Sequence, residues 1–282
     1  MNDILTPKDL IRIAICQLNS VDDLAKNVSS IKSMLSGLTE IDLVCLPENC
    51  LYFRVKEGEL IEGIEPNNPL FEEFATLAKR NRLNIHFGAS PLKVNGVLRN
   101  SSVFISDKGE IAVSYDKIHL FDIELTGQKP VRESDVFKGG DRPVEFGVGG
   151  WRFGQTICYD LRFSELFNYY GRRGVHVLLV PAAFLVPTGK AHWEVLLRAR
   201  AIENQCYVIA AAQAGRHHGK AGGERMTWGH SMVVGPWGDV LIQMNESEVK
   251  AQVFELKLSE ITKVRTQIPM AQHRRSADFY CK

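Results

Sequence analysis

Apolar positions recur along the chain with two different periods, and the switches between them mark out its elements. Residues 11–18 are apolar and β-branched, the pattern of a buried strand. Residues 22–38 follow with Leu24, Val28, Ile31 and Leu35 at helical spacing. A second short buried strand over 42–46 ends at Pro47-Glu48, then come a helix over 70–79 and a strand over 84–89. Strand, helix, strand, helix, strand predicts an α/β sheet with helical crossovers. The period then changes. Asn95-Gly96 and Asp107-Lys108-Gly109 are hairpin turns, so 100–105 and 111–115 pair as antiparallel strands.

Residues 121–150 are turn-rich and polar, longer than a plain connection. A strand over 151–157 ends at Cys158, a short helix covers 163–170, and a strongly buried strand covers 175–180. The spacing of Ala191, Val195, Ala199 and Ile202 predicts a helix over 188–204 with that row as its buried face. A buried strand over 206–212 follows, and strands over 228–234 and 239–244 join through Pro236-Trp237-Gly238. The last strand is 249–256, and the tail from Gln267, with His273-Arg274-Arg275, is expected to pack as an extended arm. No repeat, linker or low-complexity stretch interrupts the pattern. A single α/β domain over 1–282, with about a dozen strands in two sheets, is expected.

Composition narrows the function. The chain has 282 residues, 45% of them hydrophobic, with 34 basic and 33 acidic side chains and a formal net charge of +1. That balance argues against nucleic acid or a membrane surface as a charge-driven partner. The six cysteines (Cys16, Cys45, Cys50, Cys158, Cys206 and Cys281) make no C-x-x-C pair and mostly sit in apolar runs. With no basic, apolar leader at the start, this predicts a reduced, cytoplasmic protein. The longest apolar stretch, 175–187, is too short for a membrane span. No phosphate loop, dinucleotide loop or H-E-x-x-H occurs, and His217-His218 reads as a solvated loop pair, so neither cofactor nor metal is expected.

Three residues share a placement. Glu48, Lys117 and Cys158 each follow a buried strand, where α/β folds collect their sites. Taken singly, the cysteine reads as packing, the glutamate as a helix-start or surface charge, and the lysine as a solvated side chain. Together they make a nucleophilic set. Cys158 would attack as the thiolate, favoured by a neighbouring Lys117 ammonium, with Glu48 taking the proton and later activating water. Lys117 and the backbone N–H of Tyr159 would face the oxyanion.

Leu46-Pro47-Glu48, Tyr115-Asp116-Lys117-Ile118-His119-Leu120 and Cys158-Tyr159-Asp160-Leu161-Arg162-Phe163-Ser164-Glu165 resemble the three signature blocks of the nitrilase superfamily of carbon–nitrogen hydrolases. The resemblance implies a four-layer α-β-β-α sandwich with two mixed sheets and a Glu-Lys-Cys catalytic set. It also implies a homodimer or higher homo-oligomer. Glu133 matches a second family glutamate that orients the lysine and the substrate amide; the alternative is a loop carboxylate paired with Arg132.

Residues 192–204, 211–218, 228–234 and 272–275 are similar to deaminated-glutathione amidases and, more distantly, to ω-amidases acting on α-ketoglutaramate. Both substrate classes share a 2-oxo acyl half with a free carboxylate. Arg162 is the carboxylate partner by analogy with related carbamoylases, or else it pairs with Asp160 or Glu165. Arg54 and Phe184 complete the binding candidates, while 49–60 and the glycine-rich 219–224 depart from the branch pattern. His119 is read as a supporting hydrogen-bonding residue, His192 and His230 as structural histidines on a helix and a strand, and Cys45 and Cys206 as core. Another small-amide or nitrile hydrolase, a Cys-His hydrolase on a different fold, and a non-catalytic scaffold on the same sandwich stay open.

Overall fold

Side chains on the first strand point alternately to two different cores, and that alternation organises the molecule. The structure, a computed structural model, describes residues 6–56, 58–124, 130–220, 222–275 and 279. Its first half comprises β1 (Leu10–Gln17), α1 (Leu24–Ser36), β2 (Leu43–Cys45), α2 (Pro69–Asn81), β3 (Asn84–Val94), β4 (Val97–Ile105) and β5 (Ile111–Asp116). A small ribbon, β6 (Asp122–Ile123) with β7 (Val131–Arg132), leads to β8 (Glu145–Val148), β9 (Trp151–Gln155), α3 (Ser164–Arg172), β10 (Val177–Leu179) and α4 (Val186–Asn204). The remainder is β11 (Tyr207–Ala210), β12 (Ala214–His218), β13 (Glu224–Trp228), β14 (Met232–Val234), β15 (Val240–Gln243), β16 (Lys250–Lys257), α5 (Leu258–Gln267) and α6 (Met270–His273).

Two six-stranded sheets form, ordered β16-β1-β2-β3-β4-β5 and β15-β14-β11-β10-β9-β8. Each has a parallel centre, β1-β2-β3 and β9-β10-β11, and antiparallel flanks, so both are mixed. Ile11, Ile13 and Ile15 face Trp151, Phe153, Val177 and Ile209 in a core between the sheets. Ala14 and Cys16 face the opposite way, into a core shared with Ile31 and Leu35 of α1 and Phe71 and Phe74 of α2. On the far side, Leu178, Val208 and Ala210 pack against Phe167 and Tyr170 of α3 and Trp193 and Leu197 of α4. The layers are therefore helix, sheet, sheet, helix, and the expected sandwich is what forms.

Several local expectations are corrected. The buried face of α4 is Gly189, Trp193, Leu197, Arg200, Ala201 and Asn204, whereas Val195 and Ile202 are 68% and 47% exposed. Hydrogen bonding rather than polarity decides this. Arg200 Nε and Nη2 donate to Leu161 O at 3.1 and 2.9 Å, and Trp193 Nε1 donates to His230 O at 2.8 Å. The 228–234 strand is broken at Gly229 and His230, both at positive φ, so β13 and β14 lie in different sheets. His230 is thus in a turn, stacked on Trp228, not on a strand. His192 is an exposed residue of α4 that contacts Arg162. Residues 121–150 contain β6, β7 and β8, and the tail from Gln267 forms α6 where an extended arm is expected. The five described cysteines are buried and unpaired, and Cys281 lies outside the described residues.

His217 is not solvated. It is fully buried in β12, its Nδ1 donating to Ser20 O at 2.7 Å and its Nε2 accepting from Thr227 Oγ1 at 2.8 Å. His86 is likewise buried, with Nε2 donating to Gln155 Oε1 at 3.0 Å. Burial holds both imidazoles down at about 4, against an ordinary 6.5. Each stays neutral in the folded chain between those values but takes a proton once unfolded. Stability should therefore fall as pH drops from 6.5 towards 4 and be unaffected by these groups above that window. By pH 5 the loss amounts to about 2 kcal/mol per histidine. Chemical denaturation at pH 7 and pH 5 should show a difference that shrinks by about that amount in His86→Gln. An unchanged pH dependence in this variant would refute the assignment.

Candidate active site

Glu48, Lys117 and Cys158 come from the same end of the two sheets. Glu48 lies three residues beyond β2, Lys117 directly follows β5, and Cys158 lies three residues beyond β9. Close approach of backbones is needed here. A Cβ on Gly88 of β3 would collide with Leu46 O and Pro181, the residues that carry the chain to Glu48 and out of β10.

Cys158 itself sits at φ +48°, an uncommon conformation for a side-chain-bearing residue, at the start of a short 3₁₀ turn over Cys158–Arg162. The surroundings over-determine it. Its N–H donates to Pro181 O at 2.9 Å. The fully buried Asp160 carboxylate accepts from Ile157 N at 2.9 Å, Tyr115 OH at 2.7 Å and His119 N at 2.9 Å, with His119 Nδ1 at 2.7 Å. His119 in turn stacks on Phe163, ring centroids 3.7 Å apart. The Tyr115–His119 segment that carries Lys117 is thereby tied to the turn that carries Cys158.

The charges beneath the pocket form one network. Lys117 Nζ donates to Glu48 Oε1 at 2.9 Å and lies 2.8 Å from Glu133 Oε2. Asn100 Nδ2, from β4, donates to Glu48 Oε1 and Glu133 Oε1, each at 3.0 Å. The backbone N–H of Phe121 donates to Glu133 Oε2 at 2.6 Å. Glu133 therefore points at Lys117 rather than pairing with Arg132. Burial opposes the charge on Lys117, but Glu133 and then Glu48 outweigh it and hold the ammonium well above its usual range. The Cys158 thiol is pushed up, first by burial and then by Glu48, against Lys117 and a hydrogen bond from the Ala183 backbone. Lys117 does favour the thiolate, as expected, yet burial and Glu48 win, so the resting sulfur keeps its proton beside a carboxylate able to accept it.

These groups open into a cleft. Tyr159, Arg162, Phe184 and Arg54 all line it. Arg162 pairs with neither Asp160 nor Glu165. Its guanidinium lies over the Tyr159 and Phe184 rings at 5.7 and 5.5 Å, with Nη1 3.2 Å from His192 Nδ1. Sequence reasoning missed Asn100, Phe53 and Arg225. The signal for Asn100 was the polar run Arg99-Asn100-Ser101-Ser102 between the apolar ends of the strand. Arg225 carried none, because it falls between the glycine-rich 219–224 and the strand expected from Trp228. Among the described residues no group of three or more His, Cys, Asp or Glu is placed to hold a metal.

The carbon–nitrogen hydrolase family profile matches residues 12–266. A deaminated glutathione amidase from Yersinia enterocolitica is 39% identical over 272 residues, 93% of this chain and 92% of that protein. The nitrilase and fragile histidine triad fusion protein NitFhit of Drosophila melanogaster is 39% identical over 276 residues, 95% of this chain, which spans only 58% of the fusion's length. The crystal structure of NitFhit from C. elegans matches with a TM-score of 0.83 and 37% identity, over 96% of this chain and 66% of that one. Fold, sequence and strand-end geometry agree: the chain belongs to the carbon–nitrogen hydrolase family of the nitrilase superfamily, enzymes that cleave carbon–nitrogen bonds.

Proposed function

We propose that this chain is a thiol amidase that hydrolyses deaminated glutathione to 2-oxoglutarate and cysteinylglycine. The observation that carries the reading is the buried Lys117 ammonium held between Glu48 and Glu133, with Cys158 in the same cleft, which three arginines line. The name of the Yersinia relative supports the substrate.

The steps follow from the contacts. Glu48 takes the Cys158 proton as Sγ attacks the amide carbonyl carbon. Charge developing on the carbonyl oxygen faces Lys117 Nζ and the Tyr159 N–H. Glu48 returns the proton to the amide nitrogen, the C–N bond breaks, and cysteinylglycine leaves. A water then gives its proton to Glu48 and attacks the thioester; the C–S bond breaks, 2-oxoglutarate departs and the thiol regains its proton. Glu133 and Asn100 hold Lys117 and Glu48 in register throughout, and Arg162 faces the 2-oxo acid carboxylate.

Cys158→Ala should abolish release of 2-oxoglutarate from deaminated glutathione while leaving the thermal midpoint near that of the wild type. Turnover by that variant would eliminate the thiol mechanism. In wild type, a preference for α-ketoglutaramate over deaminated glutathione would instead mark an ω-amidase, and turnover of neither would discard both substrates. Asn100→Leu removes one donor shared by two carboxylates, so kcat should fall by about 10- to 100-fold, the worth of a hydrogen bond to a charged group. Steady-state kinetics on the folded variant measure this, and an unchanged kcat would remove Asn100 from the network.

A further inference from the structure

The backbone turns sharply as it leaves Glu48. Asn49, next in the chain, sits at φ +59°, in the left-handed region that is uncommon for any residue but glycine. The carbonyls on either side of Asn49 both accept hydrogen bonds from buried side chains. Gln213 Nε2 donates to Glu48 O at 2.9 Å, and Ser20 Oγ donates to Cys50 O at 3.1 Å. The two clamping side chains are themselves paired. Ser20 N donates to Gln213 Oε1 at 2.9 Å, and Gln213 Nε2 donates to Ser20 Oγ at 3.0 Å. Both residues are buried, so every polar atom of the Gln213 amide is satisfied away from solvent.

Gln213 reaches Glu48 from the other sheet. It lies three residues beyond β11, and its N–H donates to Ala182 O at 2.9 Å, while Ala182 N donates to Ala211 O at 2.8 Å. The segment paired with it in this way also contacts the nucleophile. Pro181 O accepts from Cys158 N at 2.9 Å, and the Ala183 backbone hydrogen-bonds the Cys158 sulfur. One residue therefore has its backbone tied to the segment that contacts Cys158 and its side chain tied to the backbone of Glu48. Lys117 and Asn100 hold the Glu48 carboxylate at its tip, and Gln213 holds the same residue at its root. A proton acceptor needs both, because small displacements of a reacting group cost large factors in rate.

From this we infer that Gln213 is a positioning residue for the reaction: it sets how the Glu48 carboxylate meets Cys158 by fixing Glu48 O to the segment that contacts the cysteine. Gln213 is not among the residues lining the cleft, so it acts through Glu48. The inference rests on the reading of Glu48 as proton acceptor proposed above, and it adds to that reading the group that holds the acceptor in place.

The test reads the sulfur directly. Iodoacetamide alkylation of Cys158 is timed in wild type, Gln213→Met, Gln213→Glu and Glu48→Gln, with Cys158→Ala giving the background from other cysteines. A thermal melt of each variant checks its fold. Methionine keeps the length of the side chain and loses the whole amide. Alkylation of Gln213→Met should be slower than wild type by about 10- to 100-fold, the scale of a displaced reacting group. On deaminated glutathione its kcat should fall by about the same factor, with KM changed less than about twofold. Gln213→Glu can donate to Glu48 O only as the carboxylic acid, so its alkylation rate relative to wild type should climb as pH falls. Wild-type alkylation in folded Gln213→Met would overturn the inference. So would a Gln213→Glu rate that stays at a constant, low fraction of wild type at every pH, and this result decides alone if Gln213→Met does not fold. Wild-type alkylation in Glu48→Gln would instead refute Glu48 as the proton acceptor. Alkylation needs no substrate, so the pattern is readable whichever amide the enzyme takes.

Discussion

A single buried ammonium, Lys117 held between Glu48 and Glu133, is the constraint on which the site depends. Burying three charged groups costs several kcal/mol each unless every one finds partners. Here the partners come from four parts of the chain: the loop after β2, β4 through Asn100, the end of β5, and the segment after β7. Removing any member leaves an uncompensated charge in a dry place. The network therefore fixes where these chain segments meet as firmly as the apolar cores do.

The two sheets supply the geometry that makes this meeting possible. Parallel central strands put their carboxyl ends on one side, and Glu48 and Cys158 both emerge there, one from each sheet. The apolar layer between the sheets sets their separation, and the close passage at Gly88 and Pro181 sets how near the loops approach. Asp160 then couples the positive-φ turn at Cys158 to the segment holding Lys117. The positive φ at Cys158 is sustained by a carboxylate that accepts hydrogen bonds from Ile157, Tyr115 and His119.

Burial also changes the chemistry. The surroundings raise the Cys158 thiol rather than lowering it, because desolvation and Glu48 together exceed the pull of Lys117. The cleft above adds arginines that lie over aromatic rings, Arg162 over Tyr159 and Phe184 and Arg225 over Phe53.

Much of this molecule is local in origin, and the local part is legible in the sequence. Strand and helix periods, the Asn95-Gly96 turn and the strand-end placement of Glu48, Lys117 and Cys158 depend on neighbours a few positions away, so the α/β elements could be read directly, while the layering into a sandwich was implied only by the resemblance of the motif blocks. What the sequence could not decide were contacts between distant segments. The buried face of α4 includes Arg200 and Asn204, which count as polar until Leu161 O and the helix's own carbonyls satisfy them. His217 looks solvated until Ser20 and Thr227 close around it. Asn100 looks like an ordinary strand residue until two glutamates, 52 and 33 positions away, converge on its amide. Arg225 is one basic residue just past a glycine-rich stretch until the ribbon folds over Phe53. Periodicity is a property of adjacent residues, but hydrogen-bond satisfaction is a property of the packed whole, and only the tertiary structure decides it.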